Sequence, residues 1–161
     1  MSFDDDWEEI DVPRGAFIGW GQKPGQHVTG EVLEYDPDGG TDFGKKPCPR
    51  LSVILTEKAA SFNKKGERRD YDPDTLVLIN CGQVSLKRAV QAARLGPGDM
   101  VRLKLKDMVD LDDGKTVKEF GIQVKRGTGA LSSNAERALA KSKDAPADDF
   151  AKDNQDDEPP F

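Results

Sequence analysis

From Val101 to Lys106 apolar and basic residues alternate without a break, Val101, Leu103 and Leu105 interleaving with Arg102, Lys104 and Lys106. A period of two fits a β-strand with one face buried and one face wet. This strand follows a Pro97-Gly98-Asp99 turn. Asp113-Gly114 supplies the tight turn of a hairpin whose second strand turns Phe120, Ile122 and Val124 inward, opposite Gln123 and Lys125. The same period recurs upstream. His27 to Tyr35 alternates, which predicts Val28 and Val32 on one face and Leu33 and Tyr35 on the other. Arg50 to Thr56 predicts a strand through Leu51, Val53 and Leu55, and Leu76 to Cys81 is a short apolar run of the kind a buried strand shows. One segment changes the period. Leu86, Ala89, Val90 and Ala93 fall at i, i+3, i+4 and i+7, the buried stripe of a helix. Lys87, Arg88, Gln91 and Arg94 take its wet side, and Gly96-Pro97 stops it.

The order strand, strand, strand, helix, strand, strand predicts a mainly β chain. It is the layout of a five-stranded OB-fold barrel, with one helix between strands 3 and 4 plugging one end. Another small α+β sheet shares the linear pattern, because strand order in space is not written in periodicity. With 161 residues there is room for one domain of ordinary size and extra chain at its ends. Residues 13–127 are the expected folded body and 1–12 an acidic flexible arm, with Trp7 and Ile10 available to anchor it. Residues 128–161 are the expected linker and acidic tail. Ser133-Asn134-Ala135-Glu136 fits a capping box and predicts a short helix over 133–141. Beyond Ala145 the acids and prolines carry too little apolar surface to offset the entropy of ordering, so a disordered C-terminal tail is expected.

The net charge of −6 argues at first against a nucleic-acid partner. Its distribution reverses that reading. Residues 1–12 carry six acids and no Lys or Arg, and 131–161 carry eight acids against four cations, which leaves 13–130 at +4. A basic middle between acidic ends can bind a polyanion locally while the molecule stays soluble.

Several function classes fall away. No apolar run approaches the roughly 20 residues needed to span a bilayer. The acidic start lacks the basic and apolar regions of a signal peptide, so a cytoplasmic location without membrane association is expected. Cys48 and Cys81 are the only cysteines, too few for a disulfide framework and not spaced for zinc; reduced thiols are expected, Cys81 buried. His27 is the single histidine, and a lone histidine is far more often structural or exposed than catalytic. Gly19-Trp20-Gly21 is no dinucleotide fingerprint, and Asp110, Asp112, Asp113 and Gly114 fail the spacing of a calcium loop. No nucleophile, base and orienter assemble, so neither enzyme activity, nor a metal, nor a cofactor is expected.

Holding a nucleic-acid strand asks for less: cations along a groove for phosphates, and aromatic faces on which bases stack. Phe17 and Trp20 sit in a Gly-rich lead-in, where core packing and base stacking are equally open to them. Tyr35 lies opposite Val28 and Val32 in the expected strand. Phe43, Lys45, Lys46 and Arg50 populate the connection between the first two strands, and Phe62, Lys64, Lys65, Arg68, Arg69 and Tyr71 the connection between the second and third. Loops of this length are functional or disordered more often than not. Lys64, Lys65, Arg68 and Arg69 also suit a soluble hairpin tip. Arg102, Lys104 and Lys106 are the solvated face of a strand unless that face adjoins the groove.

The expected strand order and the final Asp156-Asp157-Glu158-Pro159-Pro160-Phe161 resemble the bacterial and bacteriophage single-stranded DNA-binding proteins, whose chains end in acids, a hydrophobic residue, Pro and Phe. The likeness is sharp over those six residues and architectural over the body. Pro159 departs from it, standing where the bacterial tip has a bulkier aliphatic residue. The resemblance implies sequence-tolerant binding of single-stranded DNA in replication or recombination, docking of partner proteins through the tip, and self-association. In a phage-encoded member the compartment is the host cytoplasm. An OB-type module that binds protein, or an RNA-binding barrel, fits the same body. The tip also makes physical sense by itself. A Phe ring beside a terminal carboxylate suits a small apolar pocket flanked by cations, and two prolines extend the segment in advance of docking.

Overall fold

The computed structural model describes residues 15–41, 46–110, 114, 116–142 and 150–151. Among these lie eight strands and two helices: β1 (Ala16–Phe17), β2 (His27–Thr41), β3 (Pro47–Leu55), β4 (Ala59–Phe62), β5 (Arg68–Tyr71), β6 (Leu76–Asn80), α1 (Val84–Ala93), β7 (Met100–Asp110), β8 (Thr116–Lys125) and α2 (Ser133–Ser142). Six strands form one mixed sheet in the order β1-β6-β3-β2-β7-β8, and β4 and β5 pair as a separate hairpin. The chain is mainly β, as expected, and the expected strands and central helix are all present.

The expected closed barrel is not. β6 has β1 rather than β8 at its outer side, the pair running parallel through Ala16↔Val77 and Phe17↔Leu78. Helix α1 packs on β8, the opposite edge strand, and on interior β3, and the Phe120 amide donates to Ser85 Oγ of that helix at 2.9 Å. A helix side chain thus takes a strand-edge amide that a closing strand would have used.

The periodicity that predicts β7 is realised in full. Leu103 and Leu105 are wholly buried and Val101 nearly so, while Arg102, Lys104 and Lys106 are exposed. Each such leucine contributes about 1.5–3 kcal/mol of burial free energy. Leu86 and Val90 of α1 enter the same core, with Leu51, Val53, Val77 and Ile79 from β3 and β6.

In β2 the predicted phase is corrected. Val32 pairs with Val53 but Glu34 pairs with Ser52, so Leu33 is an extra residue, a β-bulge. The bulge flips every later side chain to the other face. Tyr35 therefore joins Val28 and Val32 at the main core, while Leu33 packs in a second cluster outside the sheet. That second cluster is the seat of α2. Ala135 and Ala138 are buried against Ile54 and Leu76, with Leu131 and Leu139 beside them. The helix predicted over 133–141 is thus present, one residue longer at its end and docked on the body. Its cap is Ser132 rather than Ser133: Ser132 Oγ accepts from the Ala135 amide at 3.2 Å.

Residues 126–132 reach α2 from β8 through a clamp built on Asp99. Its carboxylate accepts from the amides of Gly127 (2.9 Å) and Gly96 (3.0 Å) and from Arg126 Nη1 (3.2 Å). These bonds, the Gly127 amide first, hold the Asp99 carboxyl below the usual carboxylate range against the opposing effect of burial. Arg126 also donates to the backbone oxygens of Ala93 and Arg94, tying the end of β8 to the end of α1.

Candidate nucleic-acid interface

The connection between β3 and β6 is longer than a sheet needs, and the structure folds it into a hairpin. Ala59↔Tyr71 through Phe62↔Arg68 set the register of β4 with β5. At the tip Asn63 Oδ1 accepts from the amides of Lys65 (3.0 Å) and Glu67 (2.9 Å), and Gly66 adopts φ +82°. An Asx-type turn closed by a left-handed glycine holds Lys64 and Lys65 exposed at the apex.

This hairpin stands against residues 19–26, and two side chains fasten the two together. Gln26 Nε2 donates to Gly19 O (3.0 Å) and Ala60 O (2.9 Å), while Gln26 Oε1 accepts from the Gly21 amide at 2.8 Å. Buried Ser61 Oγ accepts from the Gly19 amide and donates to Phe17 O, both at 2.9 Å. Neither residue stands out in the sequence, because nothing local marks a polar side chain whose partners lie about 40 residues away, as those of Ser61 do.

Between the fastened walls runs a groove of about 890 Å³. Phe62, Lys64, Lys65 and Arg68 of the expected site line it, joined by Lys23, His27 and Lys58, which sequence reasoning passed over. Asp70 is the carboxylate among the lining residues, and Arg68 Nε holds it at 2.9 Å. His27 Nε2 lies 3.7 Å from Glu57, both side chains about half exposed. Lys23, Lys58 and Lys65 make no ion pair among the described residues. The Phe62 ring lies flush on Gly21, where an added Cβ would sit 2.9 Å from ring carbon Cδ2. Glycine at 21 lets an aromatic ring rest directly on backbone at the groove wall.

The other expected residues are placed elsewhere. Trp20 reaches the groove floor but is 3 % exposed, its ring edge-on to Phe120 at 4.8 Å. Tyr71 is buried in the main core. Phe17 is buried too, with the Arg50 guanidinium 5.5 Å from its ring centre and Arg50 Nε donating to Asn80 Oδ1 at 2.8 Å. Tyr35 is half-buried in the core, and burial first, then Cys81 and Asp38, push its hydroxyl up. Arg69 faces away from the groove, its guanidinium 4.3 Å from the Phe150 ring centre. Lys46 is exposed just before β3. Phe43, Lys45, the 1–12 arm and the 156–161 tip lie outside the described residues. Both cysteines are buried and outside any disulfide, and burial pushes the Cys81 thiol well up.

Among the described residues no group of three or more His, Cys, Asp or Glu is placed to hold a metal ion, and no helix is long and apolar enough to cross a membrane. No family model matches the chain, and no curated protein and no solved structure matches it either.

Proposed function

We propose that this chain is a non-enzymatic, sequence-tolerant single-stranded DNA-binding protein of replication or recombination. The observation that carries the reading is the groove between the β4–β5 hairpin and residues 20–27. Five Lys and Arg side chains and His27 line it with a single lining carboxylate, Asp70, already held by Arg68; Glu57 stands beside His27, and the Phe62 ring lies at the wall. Cations for phosphates and a ring for a base are the two elements that sequence-tolerant strand binding uses. The path β2, β3, β6, α1, β7, β8, with β2 between β3 and β7, further supports an OB-type order whose last seam is left open. The acidic end 156–161 serves as the docking tip for partner proteins, in the host cytoplasm if the chain is phage-encoded.

Anisotropy titration with labelled oligo-dT is the test. The expected outcome is saturable binding that weakens with salt, the log–log slope being about −0.7 per phosphate contact. No binding at low salt refutes the reading, and stronger binding to an RNA strand of the same sequence reassigns the sugar. Removing residues 156–161 is expected to leave DNA affinity unchanged or raised while abolishing capture of replication proteins. A clear loss of DNA affinity in that truncation rules out the division of labour.

A further inference from the structure

The groove opens onto a second cationic surface. His27 lines the groove and is also the first residue of β2, where it sits in register with Lys104 of β7. The groove floor is sewn to the same strand: the Gly25 amide donates to Leu105 O and the Leu105 amide to Gln26 O, both at 2.8 Å. Lys104 and Lys106, on either side of Leu105, therefore begin where the groove ends, on the face of β7 that points away from the core. Arg102 and Lys104, two residues apart in a regular stretch of β7, share this face. Lys106 is the extra residue of a β-bulge, Leu105 pairing with Phe120 and Asp107 with Glu119, and its stem extends the row over Gly121.

Two details show how this row is held. An added Cβ at Gly121, opposite Lys104 on β8, would meet Lys106 Cδ at 2.6 Å, so the glycine lets the Lys106 stem lie across β8. Arg102 is braced between neutral partners, Nε to Thr29 Oγ1 at 3.4 Å and Nη1 to Gln123 Oε1 at 3.3 Å, which fix the guanidinium across three strands without neutralising it. Lys104 and Lys106 make no ion pair among the described residues. The acids on or beside this face among the described residues are Glu31, whose Oε2 accepts from the Ser132 amide at 2.7 Å, Asp107 next to Lys106 and in register with Glu119, and Glu57, 3.7 Å from His27 Nε2 where the groove ends. Three neighbouring cations with no carboxylate between them repel one another until a polyanion lies along them.

We propose that a bound strand leaves the groove past His27 and continues over the outer face of β2, β7 and β8, its phosphates on Lys104, Lys106 and Arg102. This rests on the groove holding a nucleic-acid strand. Among the described residues the face presents no Phe, Tyr or Trp ring, so it contributes charge and length rather than base stacking. It predicts a binding footprint longer than the groove and an affinity that rises with strand length.

The test compares the full chain with a triple variant, Arg102→Gln, Lys104→Gln and Lys106→Gln, against a short oligo-dT of about 6 nucleotides and a long one of about 20. Expected is short-strand affinity equal within twofold, which also certifies the fold. For the long strand the affinity should fall on the order of 100-fold at 0.1 M salt, with a log–log salt slope shallower by about 2. Equal long-strand affinity and slope in the two proteins overturn the inference and leave a solvated strand face. A second variant, Lys58→Gln, Lys64→Gln, Lys65→Gln and Arg68→Gln, separates the two claims. If it weakens both lengths while the triple variant weakens neither, the groove stands and the track falls. If the unaltered chain binds neither length, both fall.

Discussion

The outward side of the sheet has two halves that follow opposite rules. Over β3 and β6 it carries Ile54 and Leu76, and α2 lies on them with Ala135 and Ala138 turned in. Over β2 and β7 it carries Thr29, Arg102 and Lys104, and no described element covers it. The strands are continuous and the backbone pairing is alike in both halves, so the difference lies in the side chains. An apolar outer face is unstable in water and recruits a helix, whereas a cationic one stays open. A sheet with one half sealed and the other half open is asymmetric, and on the proposed reading the open half is the binding side.

The largest expected effect tests the groove that leads onto the open half. Replacing Lys58, Lys64, Lys65 and Arg68 by Gln should lower single-strand affinity on the order of 1,000-fold at 0.1 M salt, since four contacts carry a slope of about 2.8. Thermal stability should hold within about 0.5 kcal/mol, as for other exposed substitutions. A variant that binds normally would leave the open half with no bound strand to receive.

Next comes the sealed side. Ala138→Asp sets a carboxylate at a site 4 % exposed, between α2 and the sheet. Urea melts should show a loss of about 3 kcal/mol, and amide exchange should show α2 released from Ile54 and Leu76. Unchanged stability would mean that the helix is no necessary cover.

A smaller change tests the junction. Asp99→Asn keeps the shape of the clamp and removes its charge, and should cost about 2 kcal/mol at neutral pH. The folded-state pKa of Asp99 is depressed, so its stabilisation is fully present above the unfolded value near 4 and is lost as pH falls through the lower folded value. The difference between wild type and variant should stay constant from pH 7 to about 5 and shrink below about 4, as read from urea midpoints. A difference that grows on acidification would contradict the assignment.

The smallest effect is expected at the groove wall. Gly21→Ala pushes the Phe62 ring off its backbone seat and should weaken strand binding about fivefold, the low end for one stacked base. The salt slope should not change, because no charge is altered.

How much of this was legible in the sequence depended on the range of the signal. β7 and α1 were readable because their periods are uninterrupted and their buried residues lie within a few positions of each other. β4 and β5 were not, since Ala59-Ala60-Ser61-Phe62 and Arg68-Arg69-Asp70-Tyr71 lack both alternation and β-branched residues and are held by Gln26, Ser61 and the Asn63 turn. The phase of Tyr35 is not legible in the sequence, because a bulge is decided by the partner strand. The same distinction divides the candidate site. Phe62, Lys64, Lys65 and Arg68 were found because they cluster in one loop, while Lys23, His27 and Lys58 reach the groove only when distant segments meet. Aromatic type alone could not separate Phe62 at the wall from Trp20 and Tyr71 in the core, because burial is settled by tertiary packing.

The two sealed thiols give the molecule its own clock. Cys48 belongs to β3 and Cys81 directly follows β6, at the middle of the sheet, and the sequence holds no other cysteine. A thiol reagent can modify either one only after those strands part, so under strong excess of reagent the rate of modification counts opening events. Comparing that rate with and without an oligonucleotide would report whether occupancy at the hairpin is felt by the strands behind it.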